Sequence, residues 1–219
     1  RKIEIEEYFE FLKIIDDENT KLKFLKDENL VEEKISNELN KILIANGFLL
    51  LYNLIEATVR NSIIEIFNVI KENNICYEQL TLNLKKIWIK QRTENLKENK
   101  FKIETLHQNI YDIIDEILNK EIISLLKENL NFSGNLDAQK IRELAKEYSF
   151  KSPANGRNLI EIKNKRNYLA HGDLTFCDVG KDFTANILNE YKKEVIKNIN
   201  EAINSIGLYL DEKKYKSVV

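Results

Sequence analysis

The sequence predicts an all-α protein. It reads as an antiparallel helix bundle with one long helix, which Gly47 either kinks or opens to a close neighbour, and a long C-terminal helix. Three observations carry that reading. The 219 residues include one Pro and six Gly, too few for the turns of a β fold. Apolar residues recur at steps of three, four or seven through most of the chain. Hydrophobic residues make up 43% and charged residues 32%, a mixture that builds a core under a soluble exterior. The formal net charge of −2 removes any general attraction to nucleic acid, so such a contact needs a local basic patch.

Residues 3–15, IEIEEYFEFLKII, carry apolar positions at helical spacing. DDENTKLKFLKDEN follows as a polar connector with room for one turn of helix. The long helix is expected from Val31, because Ile35, Leu39, Ile42, Leu49, Tyr52, Ile55, Val59, Ile63, Phe67 and Ile70 keep one phase. KENNICYEQ closes it. Leu82 to Asn95 reads as a shorter helix, LKENKFK as a charged link, and Glu104 to Asn129 as a further helix. NFSGNLD is a turn, with Asp137 as N-cap of the short helix AQKIRELAKEY. SFKSPANGR holds the only Pro and an Asn-Gly pair, the strongest punctuation in the chain. A helix over 158–170 and a last one over 183–210 follow, joined by a loop through Gly180. The whole reads as one domain over 1–219, with a helical extension over 1–30 and a core over 31–211.

Cys76 and Cys177 have no metal-type spacing and no partners, which fits a reducing cytoplasm; no metal or other cofactor is expected. No signal-peptide pattern opens the chain. GFLLLYNLIEATV is apolar, but Glu56 and Arg60 follow too soon for a membrane span, so no membrane partner is expected. The chain starts at Arg1 and contains no Met, so a start upstream is expected.

The stretch EIKNKRNYLAHGDLTF breaks the bundle rhythm. Leu159, Ile162, Leu169 and Ala170 form an inward stripe, and Arg166 shares it. A guanidinium facing inward needs a partner, a cleft or a ligand. His171 lies roughly 140° further round the helix, so the two converge only if the helix unwinds at Gly172. Arg offers a permanent planar fork of donors, and His exchanges a proton near neutral pH. Together they suit phosphate chemistry, in which a 2′-hydroxyl is deprotonated, charge builds on phosphorus and a 5′-oxygen leaves. One His hardly serves as base and acid at once, and His107 sits in a distant helix. A symmetric dimer is the economical answer. The plainer alternative pairs Arg166 with a carboxylate on a neighbouring helix and lets His171 cap helix-end carbonyls. Arg157, Lys163, Lys165 and Arg166 make a local basic cluster, although Lys163 and Lys165 taken singly read as a solvated face. Tyr168 stands where a base could stack, or simply packs. Trp88 reads as core or interface, and Cys177 carries no chemistry.

At RNYLAHG the sequence resembles the HEPN superfamily, whose signature is Arg, a polar residue, three variable positions and His. LLLYNLIEATVRNSI and GNLDAQKIRELAKEY also look like flanking segments of bacterial HEPN proteins of defence and toxin–antitoxin loci. The resemblance covers most of residues 31–211 and fits the first thirty least. It implies a metal-independent endoribonuclease acting as a homodimer on RNA. His171 would be the acid/base, Arg166 the phosphate contact and Asn167 a polar orienter. Arg157, Lys163, Lys165 and Tyr168 would contact RNA. Products would carry a 2′,3′-cyclic phosphate and a 5′-hydroxyl. An antitoxin or another defence-system protein is the expected partner. Some HEPN toxins have a tyrosine two places after the His that a partner nucleotidyltransferase modifies; here that place is Asp173, so that control is not implied. Glu56 borders the long helix's apolar stripe, either orienting Arg166 or pairing with Arg60 at i, i+4. Two rivals remain: a non-catalytic HEPN module that dimerises or binds nucleotide within a larger complex, and a DNA-binding helical regulator. The second is weakened by the acidic balance and by the lack of a recognition turn.

Overall fold

The computed structural model describes residues 1–17, 19–26, 29–94, 103–127, 130, 135–154 and 156–217. The charged link expected over 96–102, most of the turn expected over 131–137, and Asn155 of the Asn-Gly pair lie outside them. The described residues form α1 (Lys2–Ile15), β1 (Lys21–Lys26), β2 (Asn29–Lys34), α2 (Asn37–Glu72), a 3-10 turn (Tyr77–Gln79), α3 (Leu82–Thr93), α4 (Ile103–Leu118), α5 (Ala138–Tyr148), α6 (Leu159–His171), α7 (Phe176–Gly180) and α8 (Ala185–Asp211). The protein is mostly all-α, as its composition predicts.

The chain divides into two compact units. One comprises Arg1–Ala57, Gly134–Ala138 and Ala154–Ile199, the other Thr58–Ser133, Gln139–Pro153 and Asn200–Val219. α2 and α8 contribute to both. In the first unit, α1 buries Ile5, Phe9, Leu12 and Ile15 along one stripe. The buried Lys192 of α8 donates to Glu6 and lies over the Phe9 ring. Asp16, just past α1, accepts from Asn40 at 2.7 Å and from the Ala185 N–H at 2.8 Å, satisfying a donor at the start of α8. Gly47 serves close approach: a Cβ there would lie 2.3 Å from Leu188 Cδ2. In the second unit, Phe67 packs on Tyr148 and Tyr77 on Trp88, and Arg60 donates to the Leu130 carbonyl at 2.6 Å.

Four expectations need correction. In place of the polar connector, β1 and β2 pair antiparallel, with Lys21 opposite Lys34 and Lys26 opposite Asn29. KLKF, 21–24, alternates Lys with Leu and Phe, a short run of period two that Leu25 breaks and the connector reading passes over. α2 therefore starts at Asn37, and Val31 and Ile35 precede it. α4 ends at Leu118 rather than Asn129, since Lys120 turns to positive φ and the Ile123 N–H pairs with the Ile75 carbonyl. The loop expected after Gly172 contains α7, opened by a Thr175–Asp178 capping box.

By length and composition alone, α2 could cross a membrane; half of its most apolar window is buried within the protein. The run is longer than Glu56 and Arg60 suggest. Ile44, Phe48, Leu51, Leu54 and Ile55 account for it as core.

Candidate active site

α6 is fixed at its start and open at its end. The Asn158 backbone N–H and side-chain amide donate to Glu194 at 3.0 and 2.8 Å, and the Tyr191 hydroxyl donates to Glu161. Leu159 and Ile162 are its buried residues. Beyond them Leu169 is half-buried and Ala170 exposed, so the expected inward stripe stops short of both. Gly172 ends the helix in the left-handed region at φ 74°. Its N–H meets the Leu169 carbonyl, and the Asp173 N–H meets the Tyr168 carbonyl at 2.9 Å. This is the Schellman arrangement, which satisfies terminal carbonyls through backbone alone. His171 is therefore not needed as a cap. It is exposed, and among the described residues its ring makes no hydrogen bond.

Arg166 is half-buried. Its guanidinium carbon lies 4.7 Å from the centre of the Tyr52 ring, and its Nη1 donates to Asn167 Oδ1 at 3.0 Å. Among the described residues no carboxylate pairs with it. A cation on an aromatic face is held electrostatically while its in-plane N–H groups stay available. Tyr52 is itself buried. Its hydroxyl accepts from the Leu136 N–H at 3.3 Å and stands beside Glu56. Burial pushes this hydroxyl up to about 12 and the Glu56 carboxylate adds to the rise, while the Leu136 N–H and Arg166 oppose it. Glu56 and Arg166 thus both adjoin Tyr52, and among the described residues no ion pair joins them. Tyr52 is the neighbour of Arg166 that periodicity conceals, since it reads as one more core position. The available signal is chemical: a buried Tyr needs a partner for its hydroxyl, and Glu56 follows four residues later.

The other candidates scatter. Lys163 leaves the basic cluster, because it donates to Asp137 at 2.7 Å in a largely buried ion pair. Arg157 is exposed but precedes α6, about 20 Å of helix from His171. Lys165 lies over the Phe183 ring at 5.1 Å. Tyr168 is exposed beside the motif. α6 stays helical through His171, so the unwinding comes too late to swing the imidazole back. The structure brings together Arg166, Asn167, Tyr52 and Glu56, and leaves His171 roughly 140° round the helix.

A Schellman-ended helix with Arg166 and His171 five residues apart, late in an all-α chain, has the form of a HEPN motif. A family model, HEPN_MAE_28990-like HEPN, matches residues 1–215, and the chain belongs to that family of the HEPN superfamily. The match starts at residue 1 and so includes the thirty residues that the motif-based resemblance fits least. No curated protein and no solved structure matches the chain.

Proposed function

We propose that this chain is an endoribonuclease of a bacterial defence or toxin–antitoxin system. It cleaves RNA without a metal, by attack of a 2′-hydroxyl on the adjacent phosphate. The observation that supports this best is the held guanidinium. Arg166 is seated on Tyr52 and steadied by Asn167, while its remaining donors suit a phosphate oxygen whose charge grows in the transition state. His171, exposed at the helix end, moves the proton. Five residues of helix separate the two by roughly 140° and about 7.5 Å of rise. One chain therefore does not close a site around one phosphate, and a homodimer facing two α6 ends supplies both groups twice. Tyr168 and Lys165 border the scissile group. In this reading the protein works in the cytoplasm and is restrained by a partner protein of its own locus.

The test is cleavage of a labelled single-stranded RNA by the purified chain, with and without EDTA. Fragments ending in 2′,3′-cyclic phosphate are expected, unchanged by EDTA. Substituting His171→Ala or Arg166→Ala should each lower the rate ~10²–10³-fold with the fold intact by circular dichroism, and the melting temperature should stay unchanged for the exposed His171. Sedimentation should give a dimer. Cleavage that survives both substitutions, or a strict monomer that cleaves, overturns the proposal. A chain that cleaves nothing but binds nucleotide over the same residues returns it to the non-catalytic reading.

A further inference from the structure

α4 is a helix without a buried residue. Its apolar positions are nonetheless ordered. At ~100° per residue, Ile103, Ile110, Ile114 and Leu118 fall within an arc of about 80° that also holds His107, and Leu106, Ile113 and Ile117 extend the apolar side along one flank. The four aliphatic side chains on that arc are 71, 46, 50 and 74% exposed in chain order, and Tyr111 beside them is 63% exposed. The other side of the helix is tied to α3 through Arg92 and Glu116 at 2.5 Å. The exposed arc is thus an apolar ridge, with His107 set in it, on the side of an anchored helix that faces away from the Arg92–Glu116 pair.

Charge says what would cover it. α4 carries Glu104, Asp112, Asp115 and Glu116 and neither Lys nor Arg. Glu104 and Asp115 lie about 20° apart on the helix and rim the open edge beside Tyr111. We infer that this face is a docking site for a helical segment of a partner protein whose apolar ridge is flanked by Lys or Arg. A second copy fits poorly, since its α4 would bring four more carboxylates and no cation to the same seam. Size agrees: a ridge about 24 Å long and one helix wide falls well short of the ~800 Å² per partner of a standard interface, but it is the length of one short helix. The inference does not depend on the nuclease reading.

The experiment uses the full chain and two synthetic amphipathic peptides of α4's length, alike except for Lys or Glu beside the apolar ridge, followed by fluorescence anisotropy. The Lys-flanked peptide should bind at least ~10-fold more tightly than the Glu-flanked one, and added salt should erase most of that difference. Ile110→Asp with Ile114→Asp should abolish binding while circular dichroism stays unchanged. Should that pair disturb folding, Glu104→Lys with Asp115→Lys should reverse the preference between the peptides. Equal binding of both peptides, binding of neither, or a preference that survives charge reversal overturns the inference. So does a wild-type assembly whose sedimenting mass falls when Ile110 and Ile114 are replaced, because a second copy then occupies the ridge.

Discussion

α6 and α4 are helices of similar length, 13 and 16 residues, and they end in the same way. Each closes on a residue with positive φ, Gly172 in α6 and Lys120 in α4, whose following N–H reaches back five residues. Their environments are opposite. α4 has the cleaner apolar arc and buries nothing. α6 runs Lys, Asn, Lys, Arg and Asn through its middle at 163–167, yet it places Ile162 in the core and leaves Tyr168, Ala170 and His171 exposed at its end. Amphipathic order therefore marks a face that needs cover, without saying that the same chain supplies it. Disorder in the pattern marks a helix held by specific pairs, here Asn158–Glu194, Glu161–Tyr191 and Lys163–Asp137.

The sharpest way to break this contrast is truncation of an isoleucine in α6. Ile162 is fully buried, so Ile162→Ala should cost about 2–5 kcal/mol in denaturant unfolding. A loss below about 1 kcal/mol would mean that the base of α6 is not core.

Next comes the seat of Arg166. If the Tyr52 ring holds the guanidinium, Tyr52→Leu should lower kcat about 5- to 30-fold, the value of a part-buried cation–π contact of about 1–2 kcal/mol, and change KM less. Tyr52→Phe keeps the ring but leaves the Leu136 N–H without its acceptor. It should cost about 1–2 kcal/mol of stability with kcat within about threefold of wild type. A Phe variant as slow as the Leu variant would show that the hydroxyl, and through it Glu56, is what matters.

The helix ends give a smaller, paired effect. Gly172→Ala meets no atom within 4 Å, so its cost is backbone strain alone, about 1 kcal/mol in thermal melts. Lys120 already carries that strain at φ 52°. Lys120→Gly should therefore gain up to about 1 kcal/mol, less the little that its exposed pair with Glu78 contributes. Equal melting shifts of the same sign would break the likeness between the two ends.

These ends also explain what the sequence can tell. The last residues of α6 are legible because Gly172 announces them. α2, α4, α5 and α8 close with the same geometry on Asn74, Lys120, Ser149 and Lys213, and of these only Asn is a familiar left-handed residue. Periodicity consequently runs α4 on to Asn129, well past its true end at Leu118. α5 is legible to the residue, because its apolar phase begins right after Asp137. The strand pair is hidden where Lys and Glu outnumber Leu, Phe and Val, so polarity outweighs alternation. At the candidate site, Arg166, Asn167 and His171 are named in the sequence as candidates by the family motif at RNYLAHG, not by spacing alone. Tyr52 is not, since the contact that singles it out joins α2 and α6 across more than a hundred residues. Nor can spacing reveal that Asp137 takes Lys163, because that pair depends on where the chain before α5 meets α6.

The smallest expected effect bears on the other half of the contrast. Ile114 in α4 is half exposed, and its carbons already meet water in the isolated chain. Ile114→Ser removes little buried area and creates no cavity, so it should change unfolding stability by no more than about 0.5 kcal/mol. Helix propensity adds nothing to this, since Ile and Ser rank together. The same substitution should weaken capture of a Lys-flanked peptide, because the lost methyl groups are buried only in the complex. A stability loss of about 2 kcal/mol or more would instead show that Ile114 is core, and the two helices would then no longer differ in kind.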